Sequence, residues 1–338
     1  MKTEILPTHT PALFTAAVKR AAELLRAGEV VALPTETVYG LAANALDEKA
    51  VAKIFEIKGR PANNPIIVHV AGNEMARDCV KDFSELAEQF SKSFWPGPLT
   101  LVLPRAKKIP EIVTAGGETV GVRWPSHPFM QAVIRECGFP LAAPSANLSN
   151  QISPTNAEHV RAQLGEKISL IVDGGQSQVG IESTVLDLSV NPPRVLRPGM
   201  IHAESLTAIA TEFRIQNSEF RIKPEGTLRS PGLLEKHYSP KTKLVILNWC
   251  DDADLRSQLS TYNFQLTTIH VIAHTKIPAG EIFADVSVMP HDAEAFARAL
   301  YAELHRCDAA GAVLIVVEAV PDSPEWSGIA DRLKRAAA

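Results

Sequence analysis

Side chains able to do chemistry fall, along this chain, at the ends of short apolar runs. Thr35, Glu36, Thr37 and Tyr39 directly follow the apolar run at 30–34. Polar groups at the end of a buried strand are placed to line a crevice, or they cap the next helix. Lys58 and Arg60 close a helical pattern and lead through Asn64 to an apolar run containing His69. A lysine and an arginine two apart satisfy the free carbonyls of a helix end, or grip a polyphosphate as point charge and fork. His69 taken alone reads as a hydrogen-bonded core histidine. Ser145 and Asn147 follow another apolar run, in a segment that is either a turn or a site. Arg123 ends a strand pattern, Ser183 precedes one, and Arg197 ends one.

Several chemistries are excluded. There is no GxxxxGKS/T and no GxGxxG, so neither common nucleotide-phosphate loop occurs. Gly116-Gly117 and Gly174-Gly175 read as turns. His270 and His274 fall on one strand pattern, about 13 Å apart, too far to share a metal. Cys79, Cys137, Cys250 and Cys307 form no CxxC pair, which excludes zinc-ribbon spacing and suits free thiols in a reducing compartment. The net charge is −4 over 338 residues, −1 within residues 1–205 and −3 within 206–338. Neither part has the basic excess of a tight nucleic-acid binder, so any RNA link is local or indirect. No run of about 18 uncharged apolar residues occurs, and residues 1–10 lack the apolar stretch of a secretory signal. No membrane span and a cytoplasmic location are the expectation.

The elements that must position these side chains are mixed. Thr10, Pro11 and Gly28 bracket a helix whose apolar residues recur from Leu13 to Leu25. A strand is expected at 30–34, a helix from Asp47 to Gly59, and a buried strand at 66–70. Helices follow near 84–93, 128–136 and 156–164. Further strands are expected at 99–103, 119–123, 141–143, 170–173, 184–188 and 194–197. Successive strands without intervening helices point to α/β architecture with a twisted mixed sheet. Beyond about 212 the periodicity fades among Pro224, Gly226, Pro231, Gly232 and Pro240, which reads as a linker. Strands at 244–247, 268–273 and 312–317 then alternate with helices near 292–306 and 326–336. That pattern predicts a smaller C-terminal α/β domain with a mainly parallel, Rossmann-like sheet. The expected domains are 1–205, a linker at 206–242 and 243–338.

The blocks PTETVYGL (34–41), KGRPANNPIIVHV (58–70), WPGPLTLVL (95–103), GVRWPSHP (121–128), PSANLSNQISPT (144–155), ESTVLD (182–187) and LRPGMI (196–201) occur in that order. Together they resemble the YrdC-like family of threonylcarbamoyl-AMP synthases. SPGLLEKHYSP (230–240) and IADRLKRAAA (329–338) resemble its long, two-domain form. Ala43, where many members have Gly or Cys, and the Leu-Leu-Glu-Lys of the linker depart from the pattern; neither touches an assigned residue.

The resemblance implies an enzyme that joins L-threonine, bicarbonate or CO2, and ATP. It would release pyrophosphate and threonylcarbamoyl-adenylate for modification of tRNA at the adenosine next to the anticodon. Lys58, Arg60, Ser145 and Asn147 match the family's catalytic tetrad, implied to act on ATP phosphates and their Mg2+, with no direct protein ligand to the metal. Asn64, Thr119, Ser153 and Arg197 match nucleotide-contacting positions, and Tyr238 is implied to reach ATP from a lid-like linker. Thr37, His69, Arg123, Ser183 and the backbone near Ala143 are implied to surround threonine. The partners implied are the downstream tRNA threonylcarbamoyl-transferase machinery and a weak tRNA contact. Two alternatives stand beside this reading: a non-catalytic double-stranded-RNA-binding module, and a carbamoyl-phosphate-dependent carbamoyltransferase.

Overall fold

The computed structural model describes residues 3–210, 216–217, 228–232, 237–279 and 282–338. The chain divides into two compact units, Met1–Ser149 with Ser153–Leu234, and Asn150–Ile152 with Glu235–Ala338. Of the segment expected as a linker, residues 211–215, 218–227 and 233–236 lie outside the described residues.

The first unit opens with β1 (Glu4–Pro7), α1 (Pro11–Arg26), β2 (Val31–Leu33), β3 (Gly40–Asn44) and α2 (Glu48–Lys58). It continues through β4 (Val68–His69), α3 (Asn73–Cys79), α4 (Glu85–Phe94), β5 (Leu99–Pro104), β6 (Thr119–Arg123), α5 (Pro128–Cys137) and β7 (Leu141–Ala142). α6 (Ala157–Leu164), β8 (Leu170–Asp173), β9 (Thr184–Asp187), β10 (Arg194–Arg197), α7 (Ala203–Ile209) and β11 (Gln216–Asn217) complete it.

Local chemistry sets the helix ends. The Thr10 hydroxyl accepts the Leu13 N–H at 3.3 Å and Pro11 takes the first turn of α1. The Asp47 carboxylate caps α2, and Gly59 ends it with φ 59°, a left-handed conformation that suits glycine.

The strands form one mixed sheet in the order β1-β8-β2-β3-β7-β4-β6-β5-β9-β10-β11. Alternation divides its side chains between two cores. Val31, Leu33 and Ala42 pack with Val18, Leu25, Phe129 and Val133 of α1 and α5. Ala32, Leu41 and Ala43 face the other way, with Val51, Ile54, Phe90 and Val160 of α2, α4 and α6. The run expected as a strand at 66–70 keeps only Val68–His69 in the ladder, because Ile66 donates its N–H to Val113 O instead.

The second unit contains β12 (Lys243–Leu247), α8 (Asp252–Leu259), β13 (Ile269–Ala273), β14 (Asp285–Val288), α9 (Ala293–Ala309), β15 (Leu314–Glu318) and α10 (Ser327–Ala336). Its four strands are all parallel, in the order β12-β15-β13-β14. Trp249, Leu255, Ile269, Val271, Leu314 and Val316 share its core. The two histidines set aside as a metal pair part company here: His274 lies past the end of β13, with Nδ1 2.9 Å from Nδ1 of His291. Among the described residues no helix is long and apolar enough to cross a membrane.

Candidate active site

In the first unit, β4 and β6 run parallel, and their register sets His69 beside Arg123. Arg123 is almost wholly buried, at 4% exposure, so each of its N–H groups needs an acceptor. Nε donates to Gly97 O at 3.2 Å and Nη1 to Thr37 Oγ1 at 2.9 Å. Nη2 lies 2.7 Å from Oε1 of Glu36, which also accepts the Ser126 N–H at 3.0 Å. Thr35 spends its own hydroxyl proton on Val38 O at 2.6 Å. Thr37 therefore donates to Thr35 Oγ1 at 2.9 Å while accepting from Arg123. The loop between β2 and β3 is thus a polarised hydrogen-bond chain running from the guanidinium.

Charge in this pocket is set by burial and by the Glu36–Arg123 pair. Burial pushes the Glu36 carboxyl up, but the Arg123 charge and the Ser126 N–H outweigh it and hold the group below its ordinary value. Burial, assisted by the positive charge of Arg123 and opposed by Glu36, pushes His69 down to about 3. The imidazole is therefore neutral at neutral pH. Glu36 Oε2 and His69 Nδ1 are buried and find no hydrogen-bond partner among the described residues.

A second group lies on the neighbouring strands. Ser183, just before β9, bonds Thr100 Oγ1 of β5 at 2.8 Å. Arg197, ending β10, donates to Ser183 Oγ through Nη2 and to Ser183 O through Nε, both at 3.0 Å. A Cβ at Gly121 of β6 would approach Thr100 Cγ2 at 3.2 Å, so this serine cluster adjoins the strand carrying Arg123.

A third group is built at the end of α2. Lys58 is 2% exposed, and Nζ donates to the carbonyls of Ser145 and Asn147 and, at 3.3 Å, to Asn147 Oδ1. Burial, with the charge of Arg60, pushes its pKa well below the ordinary lysine value. Three acceptors nonetheless match the three N–H groups of an ammonium. Lys58 thus ties down the loop after β7, while the Ser145 hydroxyl stays half-buried. The same loop is pinned to β3 through Leu41 N to Pro144 O and Ala146 N to Tyr39 O. Arg60 donates from Nε to Asn64 O at 2.9 Å and from Nη2 to Asn64 Oδ1 at 2.7 Å.

The structure thus groups Thr37, His69 and Arg123; Ser183 with Arg197; Lys58 with Ser145 and Asn147; and Arg60 with Asn64. Ser153 donates to Glu182 at 2.6 Å, and the Ala143 N–H to Ile67 O at 3.1 Å. Thr119 opens β6, about 13 Å along the strand from Arg123. Tyr238 belongs to the second unit, where its buried ring packs on Tyr301 and lies under the Arg332 guanidinium. Glu36, Thr35, Gly97 and Thr100 are additions that the sequence reading did not assign. A lone acid between two threonines after an apolar run was the available signal for Glu36.

The three buried cysteines offer no reactive thiolate: burial pushes Cys79 and Cys307 up to about 12 and Cys137 to about 11. Among the described residues no group of three or more His, Cys, Asp or Glu is placed to hold a metal ion.

A buried, braced guanidinium and a lysine-tied loop on a large mixed sheet form an arrangement suited to a small-molecule enzyme of the YrdC type. Residues 23–199 match the Sua5–YciO–YrdC family model, described as "Telomere recombination". Residues 201–338 match the model "Threonylcarbamoyl-AMP synthase, C-terminal domain". The chain belongs to the threonylcarbamoyl-AMP synthase family.

A threonylcarbamoyl-AMP synthase of Bacillus subtilis is 42% identical, over 99% of this chain and 95% of that protein. One of Pyrococcus abyssi is 39% identical, over 94% and 93%. The crystal structure of P. abyssi Sua5 complexed with L-threonine superposes with TM-score 0.90 at 36% identity, covering 100% of this chain and 98% of that one. A variant of that protein, with a histidine and the following tyrosine both changed to alanine, has also been solved. These relatives support the synthase reading over the RNA-binding and carbamoyl-phosphate alternatives.

Proposed function

We infer that this chain forms threonylcarbamoyl-AMP and pyrophosphate from L-threonine, bicarbonate or CO2, and ATP, for tRNA threonylcarbamoyladenosine modification. The observation that carries this reading is membership of the synthase family over nearly the whole chain, in a chain that holds a braced, buried guanidinium at Arg123. Arg123 offers its remaining N–H groups to the threonine carboxylate as a fork. Thr37, His69 and Ser183 surround the rest of the amino acid, with the backbone at Ala143. Arg60, Asn64, Thr119, Ser145, Asn147, Ser153 and Arg197 are assigned to ATP. Lys58 acts on the phosphates through the loop it braces.

Threonine ammonium and bicarbonate give a carbamate, with release of one water and one proton. A carbamate oxygen then attacks the α-phosphorus, and pyrophosphate leaves. This chemistry needs positioning and charge neutralisation and no protein nucleophile. Magnesium is proposed as the ion accompanying ATP. The neutral oxygens of Ser145 and Asn147 suit an ion held by phosphates and water, and when bound it offsets phosphate charge. Tyr238 is proposed as a nucleotide contact of a lid that shields the hydrolysable adenylate. His237-Tyr238 is the one His-Tyr pair in this sequence, and the solved P. abyssi variant altered such a pair. The location proposed is cytoplasmic, with the downstream transferase machinery as partner.

The test is incubation of the purified protein with ATP, magnesium, bicarbonate and L-threonine. The expected product is a species of threonylcarbamoyl-adenylate mass, with pyrophosphate release that needs both threonine and bicarbonate. Pyrophosphate release independent of threonine would refute the reading.

A further inference from the structure

Glu36 makes half of the contacts a buried carboxylate requires. Oε1 accepts the Ser126 N–H at 3.0 Å and lies 2.7 Å from Arg123 Nη2 in an ion pair. Oε2 is equally buried and has no partner among the described residues. A buried anion oxygen without a donor is costly, and where it persists beside a pocket it marks a missing donor. Across the register pair of β4 and β6, His69 Nδ1 is buried and unpartnered as well.

The pair therefore presents a cationic fork for an acceptor and, one carboxylate width away, an anionic oxygen for a donor. A plain carboxylate would satisfy the fork alone. An α-amino acid carries an ammonium two bonds from its carboxylate and fits both. Resting on the amino-acid reading given above, we propose that Glu36 Oε2 binds the substrate ammonium, so that the Glu36–Arg123 pair selects the zwitterion as a unit. Glu36 would then be a direct specificity contact as well as the brace of Arg123.

Titration calorimetry on the full-length protein separates these roles with L-threonine and its amine-less counterpart, 3-hydroxybutanoate. Wild type is expected to bind threonine at least about tenfold more tightly. Glu36→Gln is expected to lose about tenfold or more for threonine while binding the analogue unchanged or better, because a charge-assisted bond is lost only to the ammonium. Glu36→Asp keeps the charge and should keep the preference, with weaker binding of both ligands. Equal loss of both ligands in Glu36→Gln would reduce Glu36 to orienting Arg123 and overturn the proposal, as would unchanged threonine binding. Equal affinity of wild type for the two ligands overturns it without any variant. Wild type that binds neither ligand overturns the amino-acid reading itself.

Discussion

The guanidinium of Arg123 is held on three sides before any ligand arrives, by Gly97 O, Thr37 Oγ1 and Glu36 Oε1. Orientation fixed in advance lowers the entropy lost on binding. Lysine in its place would keep the charge but lose the fork. Arg123→Lys should therefore raise the KM for threonine about tenfold or more, read from threonine-dependent pyrophosphate release. Removing the cation outright is harsher, because Glu36 would stay charged and unpaired in the core. Arg123→Ala should cost about 3–5 kcal/mol of stability in denaturant melts.

His69 gives a pH signature. Its imidazole takes a proton only near pH 3 in the fold, but near 6.5 when unfolded. Between those values the unfolded state binds more protons, so stability falls as pH drops from 6.5 toward 3. About 2 kcal/mol of that loss should be present by pH 5. His69→Gln should remove that part of the slope; an unchanged pH profile would contradict the burial of His69. The residue types of the site were legible in the sequence, since Thr37, His69 and Arg123 all stand in quoted blocks. The pairing of Glu36 with Arg123 was not. Glu36 and Arg123 meet only because a loop after β2 and the end of β6 converge, and no local pattern encodes that meeting.

At the scale of elements, the expected helices announced themselves through their ends, whereas α3, α7 and α8 were not expected from the sequence. Thr10, Asp47 and Asn156 cap α1, α2 and α6 with their side chains, and Gly59 and Gly138 stop α2 and α5 in left-handed conformations. Strands were less legible wherever partners, rather than composition, make them. β3 reads Gly-Leu-Ala-Ala-Asn, without a β-branched residue, and becomes a strand because β2 and β7 pair with it on both sides. β1 contains Pro7, which its place at the sheet edge tolerates. The loop after β7 has no regular structure of its own, and the Lys58 ammonium supplies what the ladder does not. Lys58→Met would remove the ammonium that the Ser145 and Asn147 carbonyls share. That variant should lose about 2–4 kcal/mol of stability and most pyrophosphate release. Faster amide exchange at Ser145–Asn147 would locate the damage, and slow exchange there would show that the loop holds without its lysine.

For the whole molecule, charge decides what it meets directly. Tight nucleic-acid binding needs several lysines and arginines against phosphates, and it weakens steeply with salt. Here the net charge is −4, and neither the part before residue 206 nor the part after it is basic. The positive groups of the site are committed inward: Lys58 to loop carbonyls, Arg123 to Glu36, and Arg197 to Ser183. A molecule so balanced can make a small activated product for tRNA without holding tRNA during the chemistry. Pyrophosphate release should therefore be unchanged, within about twofold, when unmodified tRNA is added at about 0.15 M salt. It should also show no steep salt dependence between about 0.05 and 0.2 M beyond the screening of ATP itself. A rise of about tenfold with tRNA would mean that the nucleic acid completes the site, and the weak, indirect role assigned to it would fall.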